Sequence, residues 1–143
     1  MFYSPLVKKA SLIVFEAHKN DYDKGGYPYL MHPLYLAFQM DDEDTTCAAL
    51  LHDVIEDHGD EYSFEYLIQE GFSEKTISAL KLLTHDSSVP YMEYVKEIGK
   101  NEVAKKVKIA DLKHNLDGSR LEGKKPRKEE LYKEALLYLT MVH

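Results

Sequence analysis

The sequence predicts an all-α fold, one compact bundle of about seven helices. Three observations carry that expectation. Apolar residues recur at helical spacing in one segment after another, and capping residues, glycines and prolines separate the segments. No segment alternates convincingly with period two, and no Asn-Gly or Asp-Gly pair stands between apolar runs, so hairpins are not expected. The chain has 143 residues, 44% of them apolar, which suits a single domain over 1–143 with one buried core.

The elements follow in order. From Pro5 to Asn20, Leu6, Ala10, Ile13, Val14 and Ala17 fall at helical spacing. The stretch Asp21-Tyr-Asp-Lys-Gly-Gly-Tyr-Pro28 reads as a loop by its glycines and proline. A short helix is expected to start near His32-Pro33, because proline is tolerated in a first helical turn. Asp41-Asp-Glu-Asp-Thr-Thr46 is an acidic helix start, predicting a helix to about Asp57 with Gly59 ending it. Ser63 and Ser73 read as N-caps of helices that end at Gly71 and near Thr84. Pro90 opens a helix to Gly99, and Asn101 opens one to about Asp117, with Gly118 as its stop. Residues Lys128 to Val142 form a last amphipathic helix.

Charge and cysteine usage exclude several classes of function. The net charge of −7 argues against long-range attraction to nucleic acid or an anionic membrane. No apolar run approaches the roughly 20 residues a membrane-spanning helix needs. Cys47 is the single cysteine, so no intrachain disulfide forms, which fits a reducing compartment. The first residues lack the pattern of a secretory signal, and a cytoplasmic protein is expected. An anionic small molecule would need a locally positive site, which a bound divalent metal supplies most simply.

The stretch Leu50-Leu-His-Asp-Val-Ile-Glu-Asp-His-Gly59 is the most informative. On a wheel of about 100° per residue with His52 at zero, Asp53 falls near 100°, Glu56 near 40° and Asp57 near 140°. Cys47, Ala48, Leu51, Val54 and Ile55 take the opposite face, and Ala49 lies inside the polar arc, where its small side chain leaves room for a ligand. Such an arc is either a solvated helix face or half of a metal site. Adjacent imidazole and carboxylate can grip one ion, but further ligands must come from elsewhere. His32 follows a Gly-Gly-Tyr-Pro-Tyr turn, and Asp111 sits in Val107-Lys-Ile-Ala-Asp-Leu-Lys-His-Asn-Leu116 with Asn115 one turn beyond. His18, His58 and His85 read as surface or partly satisfied histidines. His114, next to Asn115, is the one most open to a different role.

His32, then His52-Asp53, then Asp111 resemble the metal-binding signature of the HD phosphohydrolase superfamily, and with it an HD-type helical domain. Gly26-Tyr-Pro-Tyr-Leu-Met-His-Pro33, Leu50-Leu-His-Asp-Val-Ile-Glu-Asp57 and Val107–Asn115 together resemble one branch, the hydrolase domain of the RelA/SpoT family and its small stand-alone relatives of the Mesh type. The resemblance spans about residues 10 to 120. It implies manganese-dependent removal of the 3′-pyrophosphate from guanosine tetra- or pentaphosphate, (p)ppGpp. His32, His52, Asp53 and Asp111 would hold the metal, and an N2O2 set also suits Fe, Co or Zn. Glu56 and Asp57 would orient or deprotonate the attacking water and manage protons at the leaving oxygen. Asn115 would bind substrate sugar or phosphate.

Lys24, Lys108 and Lys113 are candidate phosphate partners. On the wheel Lys108 is about 60° from Asp111 and Lys113 about 160°, so Lys113 is expected in solvent. Tyr29 either stacks on a base or sugar or packs in its loop. The basic run Arg120, Lys124, Lys125, Arg127, Lys128 is either a solvated loop or a lid over phosphates.

The sequence departs from this branch where the base is recognised. Family members commonly carry an Arg-Lys pair where this chain reads Asp23-Lys24. They often show an arginine and a threonine after His-Asn, where it reads Leu116-Asp117-Gly118. No Gly-x-x-x-x-Gly-Lys-Ser/Thr loop occurs, so hydrolysis without synthesis is expected. Two alternatives stand beside the (p)ppGpp reading: a nucleoside 5′-monophosphatase of the HD type, and a non-catalytic nucleotide sensor or helical interaction module. The expected partner is a small phosphorylated nucleotide, with no nucleic acid and no membrane. The sequence leaves the oligomeric state open.

Overall fold

Five helices begin where a short polar side chain accepts a free backbone N–H of the first turn. Ser4, Asp42, Ser63, Ser73 and Asn101 accept from the N–H of Val7, Thr45, Tyr66, Thr76 and Ala104 respectively. The structure is a computed structural model and describes residues 1–121 and 128–142. Among these, the elements are α1 (Pro5–His18), α2 (Met31–Phe38), α3 (Glu43–Leu51), α4 (Val54–His58), α5 (Phe64–Gln69), α6 (Glu74–Leu83), α7 (Tyr91–Ile98), α8 (Glu102–Asn115) and α9 (Glu129–Met141), with a 3-10 turn at Gly118–Leu121. The only pairing of strand type among them is an isolated bridge between Tyr22 and Pro28. The all-α expectation holds. No helix among the described residues is long and apolar enough to cross a membrane.

The count exceeds the expected seven chiefly because the helix predicted over residues 41–57 is two helices. It breaks at His52-Asp53, where Asp53 sits at φ −108°, ψ 0°. The His52 Nδ1 lies 2.7 Å from the Ala49 carbonyl oxygen. A continuing helix would offer that oxygen to the Asp53 N–H, so the side chain competes with the backbone ladder. α4 restarts with the Asp57 N–H on the Asp53 carbonyl. The break turns a length of helix into a corner and sends two consecutive side chains inward from it.

α3 lies at the centre, packed against α1, α2, α6 and α8. Thr45 through Leu51 are all buried, so this helix has no solvated face. The predicted polar arc lies beyond it and divides: His52 is buried, Asp53 is half-buried, and Glu56 and Asp57 on α4 are exposed, while Ala49, expected to leave ligand space, is itself enclosed. α8 lies across α3, and α9 packs on α7 and α8. This arrangement places the start of α2, the α3–α4 corner and the middle of α8 around one point.

Truncating a fully buried side chain of α3 should be costly. Leu50→Ala is expected to lower unfolding stability by about 2–5 kcal/mol, read as a lower urea midpoint with unchanged slope. A loss under about 1 kcal/mol would mean that α3 is not the packing centre.

Candidate metal centre

His32, His52 and Asp53 each offer a ligand atom, and these atoms lie within 4.8 Å of one another. Asp111 reaches the same point from α8: its Oδ1 is 2.8 Å from His32 Nε2 and 3.6 Å from His52 Nε2. The Asp53 Oδ2 is 3.0 Å from His52 Nε2. His32, His52 and Asp111 are buried, and Asp53 is partly exposed.

The hydrogen bonds decide what these atoms can do. A carbonyl oxygen only accepts, so the His52 Nδ1 must carry a proton for Ala49. In the neutral ring, Nε2 is then a bare lone pair. It is buried without a hydrogen-bond partner and aimed at two carboxylates. Acceptors facing acceptors need a shared cation, either a proton or a metal. Burial opposes a charged His52, but Asp53 and Asp111 outweigh it and push the pKa well above its ordinary value. Burial likewise opposes ionised Asp111. Lys108 first, then the bonds to His32 and His52, hold its carboxyl well below the usual range. Two imidazole nitrogens and two carboxylates gathered at one point are a donor set that fits a divalent transition metal in place of the protons they otherwise share.

The residues around these four stood out in the sequence, but not for the supporting contacts they make. The His32 Nδ1 is 2.7 Å from the Nδ1 of His114, whose ring stacks on Tyr35 at 4.1 Å. His114 thus orients a ligand candidate, as metal-site histidines are commonly oriented by a partner on the other ring nitrogen. The Tyr29 hydroxyl donates to the Asp53 Oδ2, so its polar end is held inside the site, and burial and Asp53 push its pKa up. Lys108 Nζ sits 2.9 Å from Asp111 Oδ2, and Asn115 Nδ2 donates to Asp111 Oδ1 at 3.1 Å. Two of the expected substrate contacts therefore serve the carboxylate first.

A cavity of about 230 Å³ opens beside these groups. Glu56, Lys108, Asn115 and Lys128 line it together with Tyr91 and Tyr132. The Glu56 Oε1 accepts the His85 N–H at 2.7 Å. Asp57 is not among the lining residues. Its carboxyl is raised to about 6 by desolvation first, then by Asp53 and Glu56. Lys24 is exposed and does not line the cavity, and Lys113 is exposed as expected. Of the basic run, 122–127 lie outside the described residues, while Lys128 faces the cavity. His18 is buried and partly satisfied, with its Nδ1 on Asp21 and its Nε2 without a hydrogen-bond partner. The departing residues Asp23 and Asp117 each hold a turn: Asp23 accepts from Gly25 and Tyr27, and Asp117 from Ser119.

No family model matches the chain. A guanosine-3′,5′-bis(diphosphate) 3′-pyrophosphohydrolase of Aquifex aeolicus is 32% identical over 89 residues, which cover 59% of this chain. The match spans about 12% of that relative's length. The solved structure of a metazoan ortholog of SpoT, described as hydrolysing ppGpp and acting in starvation responses, superposes with a TM-score of 0.74 at 21% identity. That match covers 100% of this chain and 90% of the other, and it establishes the fold. The Aquifex relative carries the activity name of the branch that the motifs resemble.

The elevated Asp57 predicts a specific pH response in metal-free protein. A carboxyl whose folded pKa lies above its unfolded value contributes stability below about pH 4 and loses it as pH rises through about 6. Asp57→Asn has no such loss. Its urea midpoint relative to the parent protein should rise between pH 4 and pH 8, with chelator present. A difference independent of pH would contradict the raised carboxyl.

Proposed function

We propose that these residues form one hydrolase domain, a metal-dependent phosphohydrolase that releases pyrophosphate from a phosphorylated nucleotide of the (p)ppGpp kind. The observation that carries this reading is the buried His52 lone pair aimed at Asp53 and Asp111, with Glu56 on the cavity wall beside them. The names of the Aquifex relative and the metazoan structure supply the substrate class. His32, His52, Asp53 and Asp111 would hold the ion. Manganese is favoured by the resemblance, and Fe, Co or Zn would suit the same donors. When bound, it would neutralise charge on the phosphoryl group and acidify water at the site.

The chain's own residues divide the remaining work. His114 and Ala49 fix the two imidazoles. Tyr29 and Lys108 each engage one carboxylate, so neither aspartate is free to swing. Glu56, oriented by the His85 N–H, takes the proton of the attacking water. Asp57, next in sequence, does not line the cavity, and its carboxyl, raised to about 6, exchanges its proton close to neutrality and would manage protons at the leaving oxygen. Asn115 and Lys128 face the cavity at hydrogen-bonding positions for sugar or phosphate. Asp23 is tied into its own turn where the family has an arginine, so base recognition must differ from that branch.

Purified protein incubated with phosphorylated nucleotides and manganese should release pyrophosphate, and chelation should stop it. His52→Ala and Asp53→Ala should lose activity. Glu56→Gln should lower kcat by about 10²–10⁴-fold with little change in KM. Orthophosphate from nucleoside monophosphates would favour the monophosphatase reading. Unchanged turnover in Glu56→Gln would reject Glu56 as the base.

A further inference from the structure

A second convergence of ligand atoms lies outside the centre described above. His18 is the last residue of α1, Asp21 sits in the loop three residues on, and His58 is the last residue of α4. One carboxylate oxygen, Asp21 Oδ2, is 2.8 Å from His18 Nδ1 and 2.6 Å from His58 Nε2. The three ligand atoms lie within 4.8 Å of one another.

The frame around them is preset. The Asp21 N–H bonds the His18 carbonyl, and the Asp21 carbonyl accepts the Tyr29 N–H, so the aspartate is fixed on both sides by backbone. The His58 carbonyl accepts from Glu61 and Tyr62, which holds the end of α4. His18 is 1% exposed, and its Nε2 has no hydrogen-bond partner. An apolar side chain would fill that volume without the unpartnered nitrogen, so the imidazole is there for what its Nδ1 does. The side chains of Asp21 and His58 are 34% and 26% exposed, which leaves the group open toward solvent on one side. Two imidazole nitrogens, one carboxylate and an open position make the three-ligand pattern of sites that bind a divalent ion with exchangeable water.

We propose that His18, Asp21 and His58 form a second divalent-metal site, for a borderline ion such as zinc or cobalt, separate from the centre at His32, His52, Asp53 and Asp111. A mixed imidazole and carboxylate set selects such ions over calcium or magnesium, which prefer all-oxygen shells. The two groups stand on either side of one side chain. The Tyr29 ring is 4.8 Å from the His18 ring and 5.7 Å from the His32 ring, and its hydroxyl donates to Asp53. An ion on Asp21 therefore stiffens the loop that delivers Tyr29 to the first centre.

The test is cobalt(II) titration of tag-free, metal-stripped protein, followed by equilibrium dialysis and the visible absorption of the bound ion. The parent protein should bind two equivalents, and His58→Ala and Asp21→Asn should each bind one. His52→Ala should also bind one, and that ion should vanish in His52→Ala/His58→Ala. His58 is partly exposed and Asp21→Asn keeps the shape of the bridge, so thermal unfolding without metal should show both variants folded. Two equivalents retained in both His58→Ala and Asp21→Asn would overturn the second site. So would a single equivalent in the parent protein that disappears in His52→Ala. A single equivalent that survives His52→Ala and disappears in His58→Ala would support the second site while refuting the first.

Discussion

One buried nitrogen sets the terms for the rest of this molecule. The Ala49 carbonyl takes the proton on His52 Nδ1, and Nε2 is left facing Asp53 and Asp111 with nothing to share. A bare imidazole nitrogen and two carboxylates out of water are tolerable only around a positive charge. In the metal-free chain that charge is a proton on His52. A divalent ion held by His32, His52, Asp53 and Asp111 would meet the same demand. The local backbone is built for this arrangement, since the bond that fixes the tautomer also interrupts the helix and turns Asp53 inward.

The surrounding residues read as consequences of that demand. Asp111 is the common acceptor for His32, Lys108 and Asn115 and lies 3.6 Å from His52 Nε2, so groups from α2, the α3–α4 corner and α8 itself gather on one carboxylate. Burying Lys108 is tolerable because Asp111 outweighs the loss of water, and Tyr91 and Tyr94 lie within cation–π range of its ammonium. Glu56 stands on the cavity wall, where the His85 N–H holds its carboxylate.

The helices were legible wherever a cap, a glycine or a proline marked the end. Ser63, Ser73 and Asn101 cap helices as their residue types implied, and Gly71 takes the positive φ of 97° that a helix stop of this kind requires. The break at His52 was not legible, because it arises from a side chain competing for a backbone acceptor and leaves no trace in periodicity. The grouping of His32, His52, Asp53 and Asp111 came from a motif resemblance, and the geometry brings those side chains to one point. Their supports were hidden for a different reason. His114 lies 82 residues from His32 and Tyr29 24 residues from Asp53, and such pairs are set by packing rather than spacing. His18 and His58 read as surface or partly satisfied histidines because each looks ordinary alone, and Asp21 joins them only after α1 and α4 meet.

The most direct test is anomalous X-ray scattering from crystals grown with manganese, recorded on both sides of its absorption edge. The account predicts a manganese peak within bonding distance of His32 Nε2, His52 Nε2 and carboxylate oxygens of Asp53 and Asp111. It would be contradicted by crystals that show those four side chains in the arrangement described here, with saturating manganese in solution and no anomalous density among them.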